Sequence, residues 1–116
     1  MASEARILTE SEWFSAPHQD LPGAKMPGTI RTAFHGLQAT CFRSTLIAMP
    51  DSQCSPDRIS EIEHVIVVLS GAFEFTVDGD SFRLDVLDQI YVPIGVHWSY
   101  RNVAASESRF LSIVGP

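Results

Sequence analysis

Two histidines and one arginine in the second half of the chain have side chains that could do chemistry. His64 and His97 each lie beside apolar residues. Arg58 precedes His64 by an even number of residues, so the two side chains would share a face of a strand. Imidazole nitrogens ligate divalent metals, and a free imidazole with a pKa of about 6.5 also exchanges protons near neutral pH. A guanidinium taken out of water needs an anionic partner, which a bound carboxylate or phosphate can supply. The three residue types therefore predict a metal centre, an acid–base pair or an anion pocket.

The segment DRISEIEHVIVVL carries both Arg58 and His64, and its apolar spacing fits a helix as well as a strand. The β-branched run at 65–68, stopped by Ser70 and Gly71, favours the strand. We therefore expect side chains to alternate between two faces along this segment.

With that alternation, Arg58, Ser60 and His64 share one face, and Glu61 and Glu63 share the other. Two imidazoles alone make a weak metal site, so a metal centre needs a third ligand. The candidates are His35 on an early strand, or Asp57 or Glu61 if a bulge shifts the register by one residue.

Composition excludes several classes of function. The 116 residues suit one domain, 45% are hydrophobic, and the formal net charge is −6 with Lys25 as the single lysine. No basic cluster is present to neutralise nucleic-acid phosphates or anionic lipid, so we expect neither partner. No apolar run approaches the roughly 20 residues of a membrane span, and the acidic N-terminus is unlike a secretory signal. We therefore expect a cytoplasmic protein with reduced Cys41 and Cys54.

The chain divides into two parts by composition. Residues 1–28 are polar and broken by prolines, which favours an extended arm, and Trp13 and Phe14 in that arm are expected to pack on the domain or on a second subunit. Residues 29–116 contain eight short strand-like runs separated by turn residues, including the hairpin signal Asp78-Gly79. This pattern predicts an all-β sandwich or barrel.

The order of these runs and turns resembles the cupin superfamily. Val68-Leu69-Ser70-Gly71 is similar to the turn that closes the first cupin motif, and Leu87-Asp88-Gln89 stands where cupins usually carry Gly-Asp. Pro93-Ile94-Gly95, followed by His97 and Asn102, is similar to the second motif. The resemblance implies a double-stranded β-helix (jelly-roll) cupin barrel over 29–116, preceded by the extended N-terminal arm.

The resemblance also implies where ligands would lie. Cupins that bind metal place two histidines and a glutamate on the first motif, and these positions here hold Arg58, Ser60 and His64. The fourth ligand position falls on Trp98, one residue after His97. Catalytic halves of ureidoglycine aminohydrolases are similar in having a histidine before the apolar run and a ligand before a Trp-Tyr pair. That similarity implies that His64 and His97 face one cavity, and we expect His97, rather than Trp98, to point inward.

Two hypotheses of function follow, and the sequence leaves open whether the protein is an enzyme. The first is a metal-dependent cupin of the hydrolase, lyase, isomerase or dioxygenase type that acts on a small polar metabolite. His64 and His97 would ligate Zn, Mn, Fe or Ni, or act as the catalytic acid–base pair, while the ligand would contact Arg58, Ser60, Tyr91 and Trp98. The alternative is a metal-free cupin that binds a small ligand or acts as a regulatory module. In either case a homodimer is expected, with the arm covering an edge strand.

Overall fold

The computed structural model describes Ile7, Thr9, the strand at 31–33 and residues 42–115. Apart from Ile7 and Thr9, the predicted arm over 1–28 lies outside the described residues, and so do Trp13, Phe14 and His35.

Nine strands form two antiparallel sheets in the described residues. They are β1 (Arg31–Ala33), β2 (Arg43–Met49), β3 (Arg58–Ile59), β4 (His64–Ser70), β5 (Phe73–Val77), β6 (Asp80–Leu84), β7 (Gln89–Val92), β8 (His97–Asn102) and β9 (Ser108–Val114). One sheet has the order β1-β2-β9-β4-β7 and the other β3-β8-β5-β6. The all-β prediction is confirmed, and 64–70 is a strand as its β-branched residues indicated. The described residues contain no helix long and apolar enough to cross a membrane.

The core lies between the inner faces of the two sheets. At its centre Phe73, Phe75, Tyr100 and Phe110 pack with ring centroids 5.0–5.9 Å apart. Each of these side chains is at most 2% exposed. Burying an aromatic side chain of this size contributes about 1.5–3 kcal/mol, so this cluster is a main source of the force that holds the sheets together.

Two turns depend on backbone conformations with positive φ, which glycine adopts readily. Asp78 and Gly79 have φ of 51° and 85°, the positive pair that a tight two-residue hairpin between β5 and β6 requires, so the predicted hairpin is confirmed. Gly71 has φ of +73°, and a Cβ there would overlap the side chain of Ser108. A side chain at position 71 would therefore be both strained and without space.

Asn102, at the end of β8, links four segments through a buried hydrogen-bond network. Its Nδ2 lies 2.8–2.9 Å from three backbone carbonyl oxygens, those of Met49, Pro50 and Ser106. Its Oδ1 accepts from the Ser108 hydroxyl at 2.8 Å and from the Ala104 amide at 2.9 Å. The Ser108 Oγ in turn accepts from the Ala72 amide at 3.2 Å. The ends of β2 and β8 and the starts of β5 and β9 are thereby tied together.

The strand directions show which strand termini lie near the Asn102 network and which lie at the opposite end of the barrel. Strands β2, β4, β8 and β9 each have one terminus near the Asn102 network and the other terminus away from it. The distant termini are Arg43, His64, His97 and Val114. The network therefore closes one end of the barrel, and the strand termini that carry His64 and His97 lie at the other end.

We expect Asn102→Ala to lower the free energy of unfolding by about 2–4 kcal/mol, because it leaves several buried carbonyl and hydroxyl groups without partners. Urea denaturation followed by tryptophan fluorescence measures this. Gln89→Ala, which removes a similar side chain from an exposed position on β7, should change stability by less than about 0.5 kcal/mol. Equal effects of the two substitutions would contradict the role assigned to the network.

Candidate functional site

A cavity of about 320 Å³ opens at the end of the barrel opposite Asn102. Both sheets line it, because side chains of β2, β4 and β9 approach those of β3 and β8 from the other side. The lining residues are Arg43, Thr45, Ile47, Arg58, Ile62, His64, Trp98, Tyr100, Ser112 and Val114. The cavity thus combines apolar and aromatic walls with a few polar and cationic groups, as small-molecule sites commonly do.

Arg58 reaches into this cavity with its guanidinium over two aromatic rings. Its Cζ lies 5.3 Å from the ring centroid of Trp98 and 6.0 Å from that of Tyr100, which are cation–π distances. The Nε and Nη2 atoms are buried, and neither makes a hydrogen bond within the described part of the chain. A buried cation with unused donors is costly unless an anion meets it.

Tyr100 presents a second buried group without a partner. The residue is 2% exposed, and its hydroxyl makes no hydrogen bond to the residues that the structure describes. Burial raises the pKa of Tyr100 to about 12, although the nearby Arg58 guanidinium opposes part of this rise. The hydroxyl is therefore protonated at neutral pH and able to donate.

His64 lies on the same side of the cavity as Ser112, with its Nδ1 3.1 Å from the Ser112 Oγ. Its ring centroid is 4.9 Å from that of Trp98. Burial, reinforced by the positive charges of Arg58 and Arg43, lowers the pKa of His64 to about 4. The imidazole is consequently neutral near pH 7 and is a weak base.

Trp98, and not His97, points into the cavity, so the expectation that His97 faces inward is wrong. Trp98 is 5% exposed, whereas the side chain of His97 is 62% exposed and its Nδ1 lies 3.0 Å from the Asp57 carboxylate on the outer face. The reason is strand register: Arg58 pairs with Trp98 and Ile59 with His97. Directly opposed residues in an antiparallel pair point to the same side, so Trp98 accompanies Arg58.

The two histidines are therefore not brought together. Asp57 and Glu61 are exposed, and the irregularity in β4 occurs between Val68 and Ser70 rather than in the segment before His64. The register shift that would have turned these carboxylates inward does not occur.

Two further residues predicted to contact a ligand lie elsewhere. Ser60 is buried, but its hydroxyl donates to the Ile62 carbonyl and it does not line the cavity. Tyr91 is exposed, and its hydroxyl donates to Glu63 at 2.6 Å on the outside of the sheet. Of the predicted contacts, the structure brings Arg58, His64 and Trp98 together.

Three polar residues of the cavity were missed by the sequence analysis. Arg43 and Thr45 alternate with outward-facing residues on β2, and Ser112 does the same on β9. The period-two alternation with Ile47 and Val114 was the available signal. It shows which residues share a face but not that this face meets Arg58 across the barrel.

The cavity does not offer the donors that Zn, Mn, Fe or Ni require. Such sites take three or four nitrogen, sulfur or carboxylate ligands, whereas among the described residues that line the cavity His64 alone has such a side chain. The described residues contain no group of three or more His, Cys, Asp or Glu placed to hold a metal ion. The Arg58 guanidinium, close enough to depress the pKa of His64, would also repel a divalent cation.

Comparison with protein families identifies the chain. The sequence profile of the cupin domain matches residues 47–114, more than half of the protein. The chain belongs to the cupin family. A comparison with curated protein sequences gives no match.

Solved structures show the same cupin fold. KdgF from Halomonas sp. superposes with a TM-score of 0.78 at 16% identity, covering 97% of this chain and 94% of that one. The polyketide cyclase RemF from Streptomyces resistomycificus superposes with a TM-score of 0.75 at 18% identity, covering 97% of this chain and 80% of that one. The Schizosaccharomyces pombe Cnp3 cupin domain gives 0.64 at 22% identity, covering 74% of this chain, which spans 59% of that structure. At these identities the likeness shows the fold alone, and the fold hosts many functions.

We expect His64 to titrate with a pKa of about 4, well below the ordinary value of 6.5. Because the folded-state pKa lies below that of the unfolded chain, protonation favours unfolding. The free energy of unfolding is thus unaffected by His64 above pH 6.5, and it decreases as the pH falls from 6.5 towards 4 because the unfolded chain takes up the proton first.

Nuclear magnetic resonance titration of the imidazole measures the pKa directly, and Arg58→Met should raise it because one positive charge is removed. His64→Gln should lose less stability than the wild type between pH 6.5 and 4. An imidazole of His64 that titrates near 6.5 would contradict the assigned environment.

Proposed function

We propose that this cupin is a metal-free binding protein that holds a small organic molecule in the cavity at the open end of its barrel. The observation that carries the proposal is a set of buried polar atoms beside that cavity for which the described residues provide no acceptor, namely Nε and Nη2 of Arg58 and the hydroxyl of Tyr100. Buried donors are normally satisfied, so unsatisfied donors that border an open cavity indicate where a ligand binds.

The size and walls of the cavity support the same function. A volume of about 320 Å³ lies at the lower end of the range of small-molecule sites, roughly 300–1,000 Å³. Ile47, Ile62 and Val114 supply apolar wall, and Trp98 supplies a flat aromatic surface. Such a pocket suits a compact molecule with one polar end.

The competing proposal is a metal-dependent enzyme of the hydrolase, lyase, isomerase or dioxygenase type. It has less support, because the His64 side chain lines the cavity whereas the His97 side chain lies on the outer surface beside Asp57. An acid–base pair of the two histidines fails for the same reason. Metal content distinguishes this enzyme from the binding protein.

Cytoplasmic location and homodimer formation stay predictions. Among the described strands β7 is an edge of the five-stranded sheet; its Tyr91 is 55% exposed, and Val65 on the neighbouring β4 is 40% exposed. An exposed edge with apolar neighbours is a surface that a second copy of the chain could cover.

We expect protein purified without an affinity tag to retain far less than one metal ion per chain, also after incubation with Zn, Mn, Fe or Ni and desalting. Inductively coupled plasma mass spectrometry measures the content. His64→Ala should give the same values as the wild type. A stoichiometric metal that is lost in His64→Ala would instead support the metal-dependent enzyme and contradict the metal-free site.

We expect Thr45→Phe to abolish ligand binding, because the added ring fills the cavity from β2. A ligand-observed magnetic resonance screen of small acids, amides and alcohols, each with an apolar or aromatic part, measures binding. Thr76→Phe places the same ring on the outer face of β5 and should keep the wild-type set of bound molecules.

Melting temperatures establish that both variants are folded. Binding that persists in Thr45→Phe, or a wild type that binds none of the molecules, would overturn the proposed function.

A further inference from the structure

The two unpartnered nitrogens of Arg58 lie on one edge of its guanidinium. The Nε–H and one N–H of Nη2 point in nearly the same direction, which is the side-on fork that receives both oxygens of a carboxylate. Both atoms are buried, and both are without a hydrogen bond in the described part of the chain. The two unused N–H donors of Arg58 are therefore placed to bind the two oxygens of one carboxylate.

The Tyr100 hydroxyl adds a third donor beside this fork. It is buried and finds no acceptor among the described residues, and Arg58 lies over the Tyr100 ring with its Cζ 6.0 Å from the centroid. Because its pKa is raised to about 12, the hydroxyl keeps its proton at neutral pH. The hydroxyl can therefore donate, as both Arg58 nitrogens do, so a partner shared by the three atoms would be an acceptor.

The charge of Arg58 calls for an anionic acceptor. The nearest acidic residues in sequence turn away from it: Asp57 pairs with His97 on the outer face, Glu63 accepts from Tyr91, and Glu61 is exposed. A water molecule could satisfy the hydrogen bonds but would leave the buried positive charge unbalanced. An anion supplied by a ligand satisfies both requirements.

The remaining lining limits that anion to a single charge on an otherwise apolar molecule. His64 is neutral near pH 7, and among the described residues that line the cavity Arg58 is the cation with buried nitrogens, whereas the Arg43 side chain is exposed to solvent. A doubly charged phosphate would leave one negative charge unbalanced inside the barrel. The apolar walls formed by Ile47 and Ile62 then receive the rest of the molecule.

We infer that the ligand is a small monocarboxylic acid, bound as its anion, whose carboxylate lies side-on against Nε and Nη2 of Arg58 and accepts a hydrogen bond from Tyr100. The inference rests on the proposed function, since it names the class of molecule that the cavity takes. The apolar or aromatic part of the acid lies against Trp98 and the aliphatic wall.

The test uses acids and their uncharged amides of the same shape. The probes are benzoate and benzamide, 3-phenylpropanoate and 3-phenylpropanamide, and isovalerate and isovaleramide, with inorganic phosphate as a further anion. Isothermal titration calorimetry measures each affinity. We expect at least one acid to bind about tenfold or more tightly than its amide, because the charge-assisted fork is lost in the amide, and we expect phosphate not to displace it.

Substitutions assign the effect to particular groups. Arg58→Met should abolish the preference for the acid, and Arg58→Lys should weaken acid binding by about tenfold because lysine keeps the charge but has no fork. Tyr100→Phe should weaken it by a smaller factor, about fivefold. Arg101→Met is the matched control: Arg101 pairs with Glu74 on the outer face and should leave affinity unchanged.

The outcomes separate this inference from the proposed function. Amides that bind as tightly as acids, an acid preference that survives in folded Arg58→Met, an acid affinity that is unchanged in folded Arg58→Lys, or phosphate that competes equally would overturn the carboxylate anchor. If neutral molecules still bind in the wild type and fail to bind in Thr45→Phe, the cavity keeps its proposed function. If no probe and no molecule of the screen binds, both proposals fail.

Discussion

The hydrogen-bond network of Asn102 is the constraint on which the rest of the barrel depends. Its amide and the Ser108 hydroxyl satisfy backbone groups from the ends of β2 and β8 and from the starts of β5 and β9. These groups are buried, so each would carry a desolvation cost without its partner. Gly71 belongs to the same arrangement, because only a residue without Cβ allows the turn to pack against Ser108. One end of the barrel is thereby closed with polar groups satisfied.

At the opposite end of the barrel, three buried polar atoms of Arg58 and Tyr100 find no acceptor among the described residues. The far ends of β2, β4 and β9, at Arg43, His64 and Val114, lie side by side in one sheet, and the cavity lies between them and strands β3 and β8 of the other sheet. There Arg58 lies over Trp98 and Tyr100 with donors that no described residue uses. A well-packed closed end gives the rigidity with which an open end can hold such groups in place, which is the arrangement expected of a preorganised binding site.

The same cavity explains why membership of the cupin family does not by itself assign a metal-dependent activity. The metal ligands that the resemblance implies correspond here to Arg58, Ser60 and His64. Arginine brings a positive charge, and Ser60 is engaged by the Ile62 carbonyl. The remaining imidazole is held neutral by burial and by the neighbouring arginines. A site that would attract a cation in one cupin thus favours an anion in this one, while the fold is unchanged.

Local patterns in the sequence determined the strand at 64–70, the hairpin at Asp78-Gly79 and the shared face of Arg58 and His64. Each depends on side-chain alternation or on backbone conformation within a few residues, and so each was predictable. The choice between His97 and Trp98 was decided by the pairing of Arg58 with Trp98, two segments about forty residues apart. The tertiary structure likewise brought Arg43, Thr45 and Ser112 to the cavity. Alternation identifies which residues share a face, whereas only the register between distant strands decides which faces meet.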